Sequence, residues 1–219
     1  MALLSSRGGI STSVLLRSAD AALLVDAGDG AGRDLSDAGI DPASIAAVLL
    51  THDHWDHVAG LPGLLWWMRL RGRREPLEVL RPAGAATAIA LCGLFRSTFG
   101  ERAKFAVVER EIAAGVPVEL GGFRAAAFAV RHSPSTSAPA GALMEAYGFT
   151  LEADGVKVVV SGDTGPCEAL GREVAGADLA LLEASAPGSQ DVPPDTHMNE
   201  AQARAYGRLA REWMPYHRP

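Results

Sequence analysis

Residues 51–57 constrain this chain more than any other segment, because they concentrate metal-ligand side chains directly behind an apolar run. The segment reads THDHWDH and contains three of the six histidines in the chain. Residues two positions apart at the end of a strand project the same way, so His52 and His54 are expected to converge on one ion. Asp56 and His57 would then open the next helix and reach a second ion, since imidazoles and carboxylates are ligands of zinc and similar divalent ions.

Length and composition narrow the class of protein. The 219 residues fit a single domain covering 1–219, and a hydrophobic fraction of 48% supplies a packed core. The net charge of −6 disfavours general binding of nucleic acid over the protein surface, but it does not exclude a local basic patch. Cys92 and Cys167 make no disulfide framework. The start of the chain is too short and polar for a signal peptide, and no apolar run approaches membrane-spanning length. We therefore expect a cytoplasmic protein with no membrane contact.

Apolar and alternating runs predict strands and helices interleaved at short intervals, which is typical of a layered α/β protein. The predicted strands lie at 21–25, 45–50, 77–80, 116–120, 123–130, 147–151, 156–160 and 179–183. The predicted helices lie at 58–70, 84–95, 167–174 and 199–213.

The motif His52-x-His54-x-Asp56-His57 resembles the signature of the metallo-β-lactamase-fold hydrolases. Further segments resemble, in order, those of the ribonuclease Z and cyclic-nucleotide phosphodiesterase branch: LVDAG at 24–28, GLPGLL at 60–65, PLEV at 76–79, RHS at 131–133, YGF at 147–149, VSGDT at 160–164, LEAS at 182–185 and HMNEA at 197–201. The resemblance implies a four-layer αββα sandwich with a dinuclear metal site at one edge.

The resemblance also implies the ligands of two metal ions. These are His52, His54 and His132 for one ion, Asp56 and His57 for the other, and Asp163 as the bridging carboxylate. Two divalent ions can share a water-derived nucleophile and stabilise the attacking and leaving oxygens, which is why a bridge is needed. We expect two Zn²⁺ per chain, with Mn²⁺ as an alternative.

Two further residues have roles implied by the resemblance. His197 matches the histidine that protonates the leaving oxygen, a role that suits an imidazole titrating near neutrality. Glu183 would orient His197, and its alternative is a solvated strand end. Asp56 or Asp163 would accept the proton of the attacking water.

The chain departs from the family pattern in its C-terminal part, which is expected to be shortened. Pro215 is expected to interrupt any strand before His217, so His217 is either a ligand of the second ion or a histidine outside the site. The region 82–132 lacks the long arm of typical ribonuclease Z proteins, so extended tRNA binding is expected to be absent. The arginines that end the helix predicted at 58–70 either complement its dipole or steer phosphate; they are Arg69, Arg71, Arg73 and Arg74.

The sequence therefore predicts a phosphodiesterase acting on cyclic nucleotides or RNA 3′ ends through a metal-activated hydroxide. A small-molecule or nucleotide phosphodiester is the expected substrate, and a homodimer is compatible with the sequence. One alternative is a lactone or carboxylic-ester hydrolase of the same fold, because Trp55 inside the motif also occurs in lactonase-like members. The other is a non-catalytic metal-binding protein with an eroded second site.

Overall fold

The computed structural model describes residues 2–135, 139, 141–186 and 196–218. The chain divides into two compact units. The first comprises Met1–Ile112 and Leu120–Gly122, and the second comprises Ala113–Glu119 and Phe123–Pro219. Each unit is described by itself below, and the expectation of a single domain over 1–219 stays a prediction.

The first unit is built on a six-stranded mixed sheet in the order β1-β2-β3-β4-β5-β6. Its strands are β1 (Ala2–Arg7), β2 (Ser11–Arg17), β3 (Ala22–Val25), β4 (Ile45–Leu49), β5 (Leu77–Arg81) and β6 (Val107–Glu111). Its helices are α1 (Ala31–Asp37), α2 (Trp55–Val58), α3 (Leu61–Leu70) and α4 (Ala86–Phe99). The first three strands pair antiparallel, and the strands from β3 to β6 pair parallel.

Helix α3 shows why the chain is helical after the histidine motif. Leu61, Leu64, Leu65 and Met68 are all fully buried, and their spacing places them on one helix face against the sheet. The helix ends before Gly72, whose φ of 80° supplies the left-handed conformation common at helix C-termini. The helix predicted at 58–70 is thus α3, which begins three residues later at Leu61, and the short helix α2 precedes it.

The arginines at the end of α3 do not form one surface patch. Arg73 is 3% exposed, and its guanidinium donates to the backbone carbonyls of Pro42, Ile45 at 2.8 Å, and Pro76 at 2.7 Å. Burial lowers the pKa of Arg73. The guanidinium of Arg69 lies 5.1 Å from the ring centre of Trp66. The alternative that all four arginines steer phosphate is therefore wrong for Arg73. Its guanidinium instead links the backbone at Ile45 to the backbone at Pro76.

The second unit is built on another six-stranded mixed sheet, in the order β12-β11-β10-β9-β8-β7. Its strands are β7 (Val118–Leu120), β8 (Phe123–Ala129), β9 (Tyr147–Ala153), β10 (Val156–Val160), β11 (Leu179–Glu183) and β12 (Glu212–Tyr216). Its helices are α5 (Glu168–Val174) and α6 (Glu200–Gly207), and they pack on the sheet through Leu170, Val174 and Ala203. The strands from β8 to β10 pair antiparallel, and those from β10 to β12 pair parallel.

The C-terminal segment corrects two expectations. Helix α6 begins with a capping box between Asn199 and Gln202 but ends at Gly207, well short of the predicted residue 213. A strand, β12, follows, and Pro215 lies inside it opposite Leu182. The expectation that Pro215 interrupts any strand is wrong, because β12 is at the edge of the sheet, where the missing N–H of proline can be tolerated.

All eight predicted strands are confirmed, with shifts of at most two residues at their ends. Strands β1, β2, β6 and β12 and helices α1 and α2 are additional elements. Within the described ranges, none of the helices has both the length and the apolar character needed to cross a membrane.

Candidate metal centre

The histidine motif emerges from the carboxyl end of β4, in the parallel part of the first sheet. His52 and His57 are fully buried, and His54 is half-buried at the start of α2. The ring centre of His52 lies 4.6 Å from that of His54 and 4.1 Å from that of His57. The structure therefore brings these imidazoles into one cluster, as predicted. Their role as metal ligands stays a prediction.

Asp26 fixes the orientation of His57. It directly follows β3, the parallel neighbour of β4, so its carboxylate meets the motif at the same edge of the sheet. One oxygen lies 2.8 Å from Nδ1 of His57, and the carboxylate also accepts from the backbone N–H of Thr51 at 2.8 Å. A carboxylate accepting from Nδ1–H leaves Nε2 with its lone pair, which is the state a metal ligand requires.

Thr51 extends the same arrangement to His52. Its hydroxyl donates to Asp26 at 2.9 Å and lies 2.9 Å from Nδ1 of His52. Because the hydroxyl hydrogen is directed at Asp26, the oxygen accepts from Nδ1–H of His52. Nε2 of His52 is thus also the nitrogen left with its lone pair.

Asp56 lies at the rim of this cluster. It accepts a hydrogen bond from the backbone N–H of Gly9 at 3.0 Å, and its Oδ2 is 3.6 Å from Nε2 of His57. The neighbouring Trp55 is 66% exposed, so its indole does not belong to the core.

Two glycines allow the motif to approach the turn after β3. A Cβ on Gly60 would lie 1.9 Å from the carbonyl oxygen of Gly28, and a Cβ on Gly28 would lie 2.4 Å from the carbonyl oxygen of Asp56. Neither position has room for a side chain. These contacts give a steric reason for the glycines in the LVDAG and GLPGLL segments.

Asp53 binds the first turn of α4 rather than the histidine cluster. Its two carboxylate oxygens accept from the backbone N–H groups of Thr87 at 2.8 Å and Ala88 at 3.0 Å. A carboxylate at this position satisfies two of the helix's unpaired donors and complements its dipole. The motif loop is thereby tied to α4.

A second cluster lies in the second unit, at one edge of its sheet. Strands β8, β10, β11 and β12 run in the same direction, so the residues that follow them meet at the same edge. Those residues include His132, Asp163 and His217, together with Glu183 at the end of β11. His132, Asp163 and His217 are each at most 2% exposed, and Glu183 is fully buried.

The distances in this second cluster suit coordination. Oδ2 of Asp163 lies 3.1 Å from Nε2 of His217 and 3.7 Å from Nδ1 of His197. Ligand-type atoms of His132, Asp163 and His197 all lie within 4.8 Å of one another. Nδ1 of His132 is 2.9 Å from the carbonyl oxygen of Thr196, to which it donates, so Nε2 of His132 keeps the lone pair that a metal ligand requires.

Glu183, which is fully buried, pairs with the half-buried His197. Oε1 of Glu183 lies 3.0 Å from Nδ1 of His197 and also accepts from the backbone N–H of Met198 at 2.9 Å. Oε2 accepts from the hydroxyl of Ser185 at 2.9 Å, and that hydroxyl oxygen lies 2.7 Å from Nδ1 of His197. Glu183 is therefore not a solvated strand end, because its carboxylate is enclosed by donors.

Four residues that orient these side chains carried no predicted role: Asp26, Thr51, Ser185 and Thr196. Asp26 and Ser185 lie inside segments noted for their resemblance, and each follows a predicted strand. Their position after a predicted strand was the feature of the sequence that could have identified them. Thr196 acts through its backbone carbonyl, which any residue could supply, so its role has no signal in the sequence.

Comparison with known proteins places the chain in a family. A β-lactamase superfamily domain matches residues 22–214. The protein named Ribonuclease Z from Mycobacterium bovis (strain BCG / Pasteur 1173P2) is 31% identical over 179 residues, covering 77% of this chain and 62% of that protein. The chain thus spans less than two thirds of the length of this curated relative.

Two solved structures share the fold. The metallo-β-lactamase fold protein YhfI from Bacillus subtilis has a TM-score of 0.79 at 20% identity, covering 99% of this chain and 85% of that one. Human tRNase Z, short form, has a TM-score of 0.77 at 20% identity, covering 99% of this chain and 91% of that one. The predicted α/β class and metallo-β-lactamase fold are confirmed, and the chain belongs to the β-lactamase superfamily.

Proposed function

We propose that this protein is a metal-dependent hydrolase of phosphodiesters, with RNA 3′ ends or cyclic nucleotides as substrates. The observation that carries the proposal is the contact of buried Glu183 with half-buried His197, next to Asp163. A carboxylate-oriented imidazole near a candidate metal ligand is what leaving-group protonation requires. The relative named Ribonuclease Z supports the phosphodiester class.

The donor sets of both clusters fit divalent metal ions. Each consists of imidazoles and carboxylates, and three of the imidazoles have Nδ1 held by an acceptor. We propose the ligands that the family resemblance implies: His52, His54 and His132 for one ion, Asp56 and His57 for the other, and Asp163 for both. His217 is added to the second ion, because its Nε2 lies 3.1 Å from Asp163. Nitrogen and oxygen ligands favour zinc, with manganese as the alternative. Bound ions would supply Lewis-acid stabilisation of the phosphoryl oxygens.

His197 is the proposed general acid. Glu183 and Ser185 hold its Nδ1, so Nε2 is the atom that exchanges a proton with the leaving oxygen. The negative charge of Glu183 stabilises the protonated imidazole and keeps the ring in one orientation. The backbone donors around Glu183 allow the carboxylate to stay buried also while His197 is neutral.

The test compares leaving groups. His197→Ala should lose on the order of 10²–10⁴-fold in kcat on cyclic AMP or an RNA 3′ end, whose leaving oxygens need protonation. The loss should shrink on bis(p-nitrophenyl) phosphate, because p-nitrophenolate leaves without a proton. Metal content should be retained. Glu200→Gln, a change at the exposed start of α6, is the matched control and should leave every rate unchanged.

Each contrary result removes a definite part of the proposal. Equal losses on good and poor leaving groups would remove the general-acid role of His197. Loss of metal would make His197 a ligand. Preferred cleavage of lactones would replace the phosphodiester with a carboxylic ester, and no turnover by the zinc-loaded wild type on any substrate would favour a non-catalytic protein.

A tRNA precursor belongs in the same substrate panel. The comparisons give no support to the expected absence of extended tRNA binding, since relatives carry the names Ribonuclease Z and tRNase Z. Light scattering on the same preparation would test the homodimer.

A further inference from the structure

A cavity of about 600 Å³ lies in the first unit, away from the histidine motif. Its wall is formed by the end of α4, the 3₁₀ turn Gly100–Ala103 and the start of β6 at Val107. Strand β6 is parallel to β5 and β4, and the motif follows the carboxyl end of β4. The cavity, at the amino end of β6, is therefore at the opposite edge of the sheet.

The floor of this cavity is aromatic and apolar. Phe95 and Phe105 line it, and their ring centres lie 5.7 Å apart. Both residues are largely buried, as are Ala103 and Val107 beside them. A cavity of this size with an apolar floor and a few polar groups suits a small organic ligand.

The charged groups around the cavity are mostly basic. Arg74, Arg96 and Lys104 line it with a single carboxylate, Glu101. Arg96 is already paired with Glu109. Among the residues that the structure describes, Arg74 and Lys104 form no ion pair. The chain as a whole has a net charge of −6, but these two cations make the cavity locally positive. The cavity therefore favours an anion.

The backbone fixes the position of the lysine. Lys104 has a φ of 64°, a left-handed conformation that is uncommon for a residue with a side chain. Its N–H bonds to the carbonyl of Glu101 at 3.4 Å, closing the turn that begins at Gly100. The lysine is thus held where the turn meets the cavity.

We infer that this cavity binds a small phosphate monoester carrying a flat aromatic group, such as a nucleoside monophosphate. The phosphate would bind Arg74 and Lys104, and the flat group would pack over Phe95 and Phe105. A phosphate alone would leave the apolar floor uncovered, and a flat group alone would give the two cations no anion. This inference does not rest on the proposed hydrolase activity, because the cavity and the motif are at opposite edges of the sheet.

The test is an NMR titration of the zinc-loaded, full-length protein with adenosine monophosphate. Amide shifts should saturate at residues 100–107, with weaker binding of adenosine alone and of inorganic phosphate alone. Arg74→Gln and Lys104→Gln should each weaken binding about fivefold, since each removes one charge contact near the surface. Glu101→Gln should strengthen it, and Arg102→Gln, on the same turn but outside the cavity, should leave it unchanged.

Two results would overturn the inference. Shifts confined to residues 51–57 or 161–164 would place the nucleotide at the metal ligands only. Equal affinities of the four variants and wild type would show that the cavity charges contribute nothing. Ala106→Trp gives an independent check, because it fills the cavity without changing a charge. This variant should abolish the shifts at 100–107 and retain activity, and undiminished nucleotide binding would count against the cavity.

Discussion

Replacing Asp26 with asparagine should weaken metal binding while leaving the fold intact. Asp26 is 1% exposed, and its carboxylate accepts from the N–H and hydroxyl of Thr51 and from Nδ1 of His57. In Asp26→Asn the amide oxygen can still accept from Thr51. The amide nitrogen then faces His57 and donates to Nδ1, which moves the ring proton to Nε2. A protonated Nε2 cannot bind a metal ion.

The magnitude follows from which contacts survive. The contact to His57 is inverted, and the hydroxyl of Thr51 loses its 2.9 Å acceptor and keeps the one at 3.1 Å. The free energy of unfolding should therefore fall by about 1–2 kcal/mol. Loss of a partner that orients a metal-binding histidine typically costs about 10–100-fold in metal affinity. Asparagine also tolerates the φ of 60° at this position. Asp26→Ala should be far worse, because three buried donors lose their acceptor, at roughly 1–3 kcal/mol each.

Competitive zinc titration measures the affinity, and urea denaturation of the metal-free protein measures the stability. Asp29→Asn is the matched control, since Asp29 is exposed three residues further on and its carboxylate contacts no motif histidine. Wild-type zinc affinity in Asp26→Asn would refute the tautomer reasoning. Parallel losses of affinity and stability would show that Asp26 acts only by holding the fold together.

Three further predictions concern the first unit. His54→Ala should abolish hydrolysis and lower bound metal without unfolding the core, as elemental analysis and circular dichroism would show. Asp53→Ala should destabilise the protein by about 0.5–2 kcal/mol in urea denaturation, and Asp53→Asn by much less, because asparagine also caps helices. Burial raises the pKa of the Cys92 thiol from 9.0 to about 12, so thiol reagents at pH 8 should modify the half-buried Cys167 first. Because the Cys92 thiol ionises at a lower pH in the unfolded chain, the free energy of unfolding should fall as the pH rises from about 9 to about 12, as urea denaturation across that range would show.

Strand β2 was missed in the sequence because its first residues are polar. Strand β2 begins with Ser11, Thr12 and Ser13, which are buried although they are polar. The hydroxyl of Ser11 donates to the carbonyl of Asp29 at 2.8 Å, and that of Ser13 accepts from Gly28 at 3.1 Å. The partners lie 18 and 15 residues away, so a search for apolar runs cannot identify the segment as buried.

Strand β6 was missed for a different reason. Its sequence, VVERE, is mostly charged, and it lies at the edge of the sheet. Glu109 is satisfied by Arg81 of the neighbouring strand at 2.9 Å and by Arg96 of α4. Charged edge strands are common because they discourage pairing with other chains, but their local pattern resembles a loop.

The candidate ligands were predictable because they are concentrated and follow apolar strands. Four of them occupy six consecutive positions, and His132 and Asp163 each come within three residues of a strand's end. The direction of neighbouring strands brings such positions to one edge, which the sequence order alone does not specify. The orienting contacts depend on that pairing, so Asp26 acquires its role only once β3 lies beside β4.

The structure changes what is expected of His217. Doubt about this ligand rested on Pro215, but β12 forms and leaves His217 buried with Nε2 3.1 Å from Asp163. We therefore expect each chain to retain two zinc ions with comparable affinity. Without His217 as a ligand, the expectation would be one tightly bound ion. His217→Asn should lower the zinc content by about one equivalent, because an amide is a poor zinc ligand. Asparagine tolerates the φ of 52° at this position, so backbone strain does not confound the result. Arg218→Gln, the exposed next residue, should retain both ions. One ion in the wild type, or two in His217→Asn, would exclude His217 from the second site.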